Sequence, residues 1–166
     1  MFDTSSITFA DIISKPKIGH EYVPTVDVYK SNFASYVPNQ EVLTKIKSWL
    51  ETNDEYLHLI AFGAPWCGDC KDHLPRLVKI ERTMQNDRLD VGVLGDIKVK
   101  PPYAREKGKL IWKSPPSPPE SVDERFDMVH IPAIFIFNKA GKCLGKIDEK
   151  PEHKSTLEEE ILYYLE

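Results

Sequence analysis

Ala64-Pro65-Trp66-Cys67-Gly68-Asp69-Cys70 lies between the apolar run Tyr56-Leu-His-Leu-Ile-Ala-Phe62 and a segment with apolar residues at Leu74, Leu77, Val78 and Met84. The first flank has the length and composition of a buried strand, and the second has the spacing of one helix face. Two cysteines separated by two residues therefore stand at a helix start. Cys67 meets the positive end of the helix macrodipole and the unpaired N–H groups of the first turn, which favour a thiolate. Cys70 lies one turn in, within reach of the first sulfur. The pair reads as a redox dithiol in which Cys67 attacks and Cys70 resolves.

With strand, Cys-x-x-Cys and helix in this order, the chain resembles the thioredoxin superfamily. Pro75, five residues after Cys70, falls at that family's helix-kinking proline, and Val129-His-Ile-Pro-Ala-Ile-Phe-Ile-Phe137 resembles its cis-proline strand, with Pro132 as the cis candidate. The likeness spans residues 39–166. The segment Gly145-Lys-Ile-Asp-Glu-Lys-Pro151 is similar to a narrower bacterial and archaeal group. The resemblance implies an α/β, thioredoxin-like fold with a central mixed sheet flanked by helices. It also implies a protein-disulfide reductase that acts through the Cys67/Cys70 dithiol. Trp66 would shield the sulfurs and offer apolar contact to a substrate, and the backbone at Ile131 would present a strand edge beside Pro132.

Departures from the family are equally specific. Ala61, six residues before Cys67, stands where the family carries a buried aspartate that helps take the proton of the resolving cysteine. Asp69 replaces a proline between the cysteines, and His130 replaces a small residue. His130 or Asp69, directly or through water, is a candidate for the missing acid's proton-transfer role. The competing reading of His130 is a loop histidine touching the neighbouring insert. His73 reads as a solvated helix residue. Cys143 belongs to the last strand, at the far end of the sheet from the pair, and reads as a bystander that glutathione or a second chain could still reach.

The chain of 166 residues has the length of a single thioredoxin-like domain, 1–166. At that length it buries roughly 70% of its unfolded surface without staples. Three cysteines suit a catalytic pair and a spare, and do not suit a secreted disulfide framework. Half of a zinc site is the competing reading of Cys67 and Cys70, but the sequence has no second Cys-x-x-Cys to complete it. No metal and no organic cofactor are expected. The net charge of −4 offers no footprint for nucleic acid. No run reaches the length of a membrane span, and the first residues carry no leader pattern, so the expected address is the cytoplasm. The expected partners are a disulfide-containing protein substrate and a reductase or small-thiol electron donor.

Residues 1–38 read as an N-terminal extension made of a short helix, a loop and an edge strand at Thr25-Val-Asp-Val-Tyr29. A helix from Asn39 to Thr52 follows, with Val42, Leu43, Ile46, Trp49 and Leu50 on one face. Leu89–Leu94 is the next strand, Asn138–Gly141 a hairpin turn, and Lys142–Ile147 the last strand. A final helix begins near Ser155, with Glu158 reaching back to it and an acidic, solvated face. Between them, residues 97–121 form a basic, proline-containing insert with six basic residues, two acidic residues and the segment Ser114-Pro-Pro-Ser-Pro-Pro119. Leaving a parallel strand at its carboxyl end, the insert is expected to border the Cys-x-x-Cys. The Pro-rich segment leaves a second class of function open: a protein-binding module whose cysteines make docking redox-sensitive. Disulfide oxidase or isomerase activity stays open as well.

Overall fold

The computed structural model describes residues 2–100, 111 and 117–166. Strands β1 (Lys17–Ile18), β2 (Leu57–Phe62), β3 (Leu89–Leu94), β4 (Ala133–Phe137) and β5 (Cys143–Asp148) form one mixed sheet in the order β1-β3-β2-β4-β5. β2 and β3 run parallel, and β1, β4 and β5 join antiparallel to their neighbours. The helices are α1 (Gly19–Tyr22), α2 (Asp27–Ser35), α3 (Gln40–Thr52), α4 (Gly68–Met84) and α5 (Leu157–Leu165). This is the α/β architecture of a thioredoxin-like fold. Among the described residues, no helix is long and apolar enough to cross a membrane.

Register assigns the two faces of the sheet, because neighbouring side chains in a ladder point the same way and successive ones alternate. Leu59, Ala61, Val91 and Ile136 share the face that receives the helices: Gly19 of α1 lies against Val78 of α4 and Val91, and Tyr164 of α5 covers Gly145 of β5. Phe62, Phe135 and Phe137 point to the other side. There Phe126, from the 3-10 turn Glu124–Phe126, packs edge-on to Phe62 and Phe135, while Phe2 and Phe9 cover Phe135 and Phe137. Both central strands are thus buried on two sides, which is why β2 and β4 read as continuous apolar runs.

The N-terminal region departs from its sequence reading. Thr25–Tyr29 is not a strand: Val23–Thr25 is a 3-10 turn, and α2 begins at Asp27. The edge strand is instead Lys17–Ile18, paired with Val93 and Gly92 of β3. Tertiary packing decides this exchange. Helical winding over 27–35 buries Tyr29 completely and brings Asn32 onto α4. Pro75 has no N–H to give the carbonyl of Lys71 one turn back, and the Asn32 side-chain amide supplies that donor at 3.0 Å.

The final helix is capped one residue later than expected. Thr156, not Ser155, accepts from the Glu159 N–H at 3.2 Å, and its hydroxyl donates to the Glu159 carboxylate at 2.9 Å. Its acidic face is not uniformly solvated either, since Glu158 and Glu160 are buried. Glu158 accepts from the Tyr36 hydroxyl and from the Asn39 N–H, tying α5 to the start of α3. Glu160 accepts from the N–H groups of His153 and Lys154 and binds His153 Nδ1 at 2.8 Å. Buried carboxylates need such partners, and here they come from distant or irregular backbone.

Candidate active site

α4 starts at Gly68, so Cys67 is its N-cap, with an extended backbone and a sulfur that accepts the Cys70 N–H at 3.2 Å. Cys67 is 9% exposed and Cys70 is fully buried. On the other side of Cys67, its thiol donates to the Ile131 carbonyl at 3.5 Å. The Ile131–Pro132 peptide is cis, and both residues are buried at the entrance to β4. β4 pairs with β2, from which the Cys67 loop emerges, so the Ala133–Phe62 pairing brings the proline turn to the sulfur.

The two thiols titrate in opposite directions. Cys67 is drawn down to about 7, chiefly because the Cys70 thiol donates to it, with the N–H groups of Cys70 and Asp69 helping. Partial burial and the Asp69 carboxylate oppose the shift. Cys70 is pushed far up because its proton is held in that hydrogen bond and its sulfur is buried. Alkylation should therefore strike Cys67 alone, at a rate that rises as pH climbs through about 7, where the thiolate becomes the dominant form. Mass mapping of iodoacetamide adducts across that range checks it. A rate rising only near the ordinary thiol value, roughly 8.5, contradicts it.

Trp66 is 58% exposed beside the cysteines. Gly68 has open space where a side chain would stand, whereas a Cβ on Gly63 would come within 2.9 Å of both the Cys70 sulfur and Leu74. Gly63 thus makes room for the resolving thiol. The His130 Nδ1 lies 3.7 Å from the Asp148 carboxylate, across the β4–β5 hairpin. His73 is partly buried rather than solvated. Its Nδ1 is enclosed without a hydrogen-bond partner, and burial, with Arg76 nearby, lowers its pKa. Cys143 opens β5 at the end of the sheet opposite the pair, is 1% exposed, and has its thiol pushed up to about 11 by burial. Such a thiol is inaccessible to glutathione or a second chain while β5 stays paired.

The described base of the insert reaches the site. The Ile97 N–H donates to the Gly63 carbonyl at 3.3 Å, and the Lys98 N–H donates to the Ser117 hydroxyl at 2.8 Å. Val99 bridges Ile111, and buried Glu120 accepts from the N–H and hydroxyl of Ser14. The rest of the expected insert, 101–110 and 112–116, lies outside the described residues. Among the described residues, no group of three or more His, Cys, Asp or Glu side chains is placed to hold a metal ion.

Sequence reasoning passed over Tyr22 and Tyr29. Tyr29 is fully buried, its hydroxyl has no hydrogen-bond partner, and burial raises its pKa. Burial also raises Tyr22, with the Asp96 carboxylate adding to the shift. The signal available in the sequence was only a pair of tyrosines at a seven-residue, helix-compatible spacing.

Residues 19–94, from α1 through the Cys pair to β3, match a family model described as thioredoxin, which supports a thioredoxin-like family. No curated protein matches the chain. Among solved structures, the chain is similar to the crystal structure of an HIV epitope-scaffold, with a TM-score of 0.52 and 16% identity over 95% of this chain and 87% of that one. It is also similar to a protein of unknown function from Pseudomonas aeruginosa, with a TM-score of 0.41 and 17% identity over 80% of this chain and 79% of that one. At such identity the first likeness speaks to fold alone.

Proposed function

We propose that one thioredoxin-like unit, residues 1–166, is a thiol-disulfide oxidoreductase that reduces protein disulfides in the cytoplasm. The observation that carries this reading is the unequal pair. One sulfur at a helix start is drawn down to about 7, and a buried sulfur one turn later keeps its proton. Near neutral pH Cys67 is substantially thiolate, the form that attacks a disulfide, and Cys70 is held back until a mixed disulfide has formed. Trp66 offers apolar surface to the incoming chain, and the backbone at Ile131 and Pro132 offers it an edge to pair with. Asp69 and His130, the latter with its Asp148 partner, tune the pair electrostatically. Electrons return from a reductase-like partner or a small thiol. The chemistry calls for no metal and no organic cofactor, and neither nucleic acid nor membrane takes part.

The test is an equilibrium redox titration of Cys67 and Cys70 in defined dithiol buffers, read by thiol alkylation and repeated in Cys143→Ser. A reversible two-electron couple more reducing than the cytosolic glutathione poise is the expected result. A distinctly more oxidising couple overturns the reductase assignment in favour of oxidase or isomerase chemistry. Absence of any couple overturns exchange altogether and favours a binding module built on the insert.

A further inference from the structure

The first turn of the active-site helix lacks one of its own hydrogen bonds. Pro75 stands inside α4 and brings no N–H to the Lys71 carbonyl one turn before it. Lys71 belongs to the turn that carries the dithiol. Its N–H donates to the Cys67 carbonyl at 3.0 Å, while the Cys70 N–H donates to the Cys67 sulfur at 3.2 Å. The missing donor comes from α2, 39 residues earlier in the chain. The Asn32 side-chain amide donates to the Lys71 carbonyl at 3.0 Å and to the Asp72 carboxylate at 3.2 Å. Both partners are oxygens, so only the NH2 end of the amide fits, and its two hydrogens serve one oxygen each. Further contacts follow at successive turns of α4: the Arg76 guanidinium lies over the Tyr36 ring at 5.3 Å, and the Lys79 ammonium donates to the Phe33 carbonyl at 2.9 Å. Tyr29, one turn before Asn32 on the same face of α2, is fully buried. Asn32 is therefore held in place from both sides.

We propose that Asn32 is a positioning residue for disulfide exchange: it stands in for the helical hydrogen bond that Pro75 cannot make, and holds the first turn of α4 so that the Cys70 N–H stays aimed at the Cys67 sulfur. The inference rests on the exchange reading above and adds to it a residue outside the Cys-x-x-Cys and the proline turn. The Asn32 hydrogen bonds reach Lys71 and Asp72, so its influence on the sulfur passes through the backbone of the turn. Alignment matters because a thiolate at a helix start is stabilised by N–H groups only while they point at it, and such bonds weaken steeply as the angle opens. A Lys71 carbonyl left without this donor would turn to water or to the N–H of residue 74, a tighter winding that shifts the turn carrying Cys70. The other groups that bear on Cys67 are the Cys70 thiol, the Asp69 N–H and carboxylate from α4, and the Ile131 carbonyl from the proline turn. The proline in α4 thus makes the dithiol depend on the N-terminal region.

The pH profile of iodoacetamide alkylation at Cys67 in the reduced protein, mapped by mass, reads the alignment of the turn. Asn32→Leu keeps the side chain's bulk and removes its donor. Its profile is expected to move upward by about half a pH unit, which slows alkylation about threefold near pH 6 and leaves the limiting rate at high pH unchanged. Pro75→Ala returns a backbone N–H to the Lys71 carbonyl, so in that background Asn32→Leu should shift the profile by less than about 0.2 of a pH unit. The Asp72 carboxylate loses the amide in both backgrounds, so a shift that came from its charge would be equal in the two. Lys79→Met, which loosens α2 at its other end, should lower the melting temperature and leave the profile in place. Asn32→Ala supplies the same comparison if Asn32→Leu folds poorly. An unmoved profile in the Asn32 variant overturns the proposal, as does an equal shift in the two backgrounds or in Lys79→Met. A parent profile centred near the ordinary thiol value, roughly 8.5, overturns instead the exchange reading itself.

Discussion

Cys70→Ser is expected to halt the protein after half a cycle and accumulate a covalent adduct with its substrate. Cys67 keeps its helix N-cap position and the N–H groups of residues 69 and 70, so attack continues. What disappears is the sulfur that would displace the substrate. Multiple turnover in an insulin-reduction assay should fall by at least about a thousandfold, the scale seen when one member of a catalytic unit is removed. The adduct should appear on non-reducing gels and in intact mass, and vanish with dithiothreitol. Part of the Cys67 shift comes from the Cys70 thiol, and a serine hydroxyl at that place donates as well, so attack should keep much of its pH dependence. Sustained turnover in Cys70→Ser contradicts the assigned roles. Cys67→Ser, which removes the attacking sulfur, should show neither turnover nor adduct.

Phe135→Ala should cost about 3–5 kcal/mol of stability and lower the melting temperature by roughly 10 °C or more. Phe135 is fully buried in the middle of β4, with Phe2, Phe62 and Phe126 all set edge-on around it at 5.5–5.7 Å. Truncation leaves a cavity whose walls come from two strands and two remote segments, none of which can move in alone. The same face carries the Ala133–Phe62 pairing that holds the cis-proline turn against Cys67. Urea denaturation of purified protein measures the loss. A cost below about 1 kcal/mol means that this aromatic layer is not a packed core.

Several elements were legible because their determinants are local. The Cys pair at a helix start follows from a strand run, a turn and helical spacing within thirty residues of chain, and α3 starts after Asn39 because its side chain accepts the N–H groups of Glu41 and Val42. Thr25–Tyr29 was misread because alternating Val26, Val28 and β-prone Tyr29 carry a strand pattern that the demands of α4 override. Burying Tyr29 and meeting the orphaned Lys71 carbonyl both require helix there. Glu158 and Glu160 read as part of a solvated acidic face, and Glu120 only as one of two acids in the insert. Their partners lie at Ser14, Tyr36, Asn39 and in the irregular turn before α5, and no local pattern announces those meetings.

By itself, then, the sequence determined the position of a dithiol on a helix N-terminus, while the mixed α/β sheet and the proline turn facing the pair were implied by the family resemblance. The dithiol's placement depends on interactions among residues close along the chain, where backbone geometry leaves few choices. Only the tertiary structure decided which sulfur is sealed, that Ile131 accepts from Cys67, and that Tyr29 from the N-terminal region is fully buried with its ring edge-on to Tyr22. Those outcomes depend on desolvation and, for Cys67 and Ile131, on the meeting of groups far apart along the chain. Such quantities exist only once the helices have packed against the sheet.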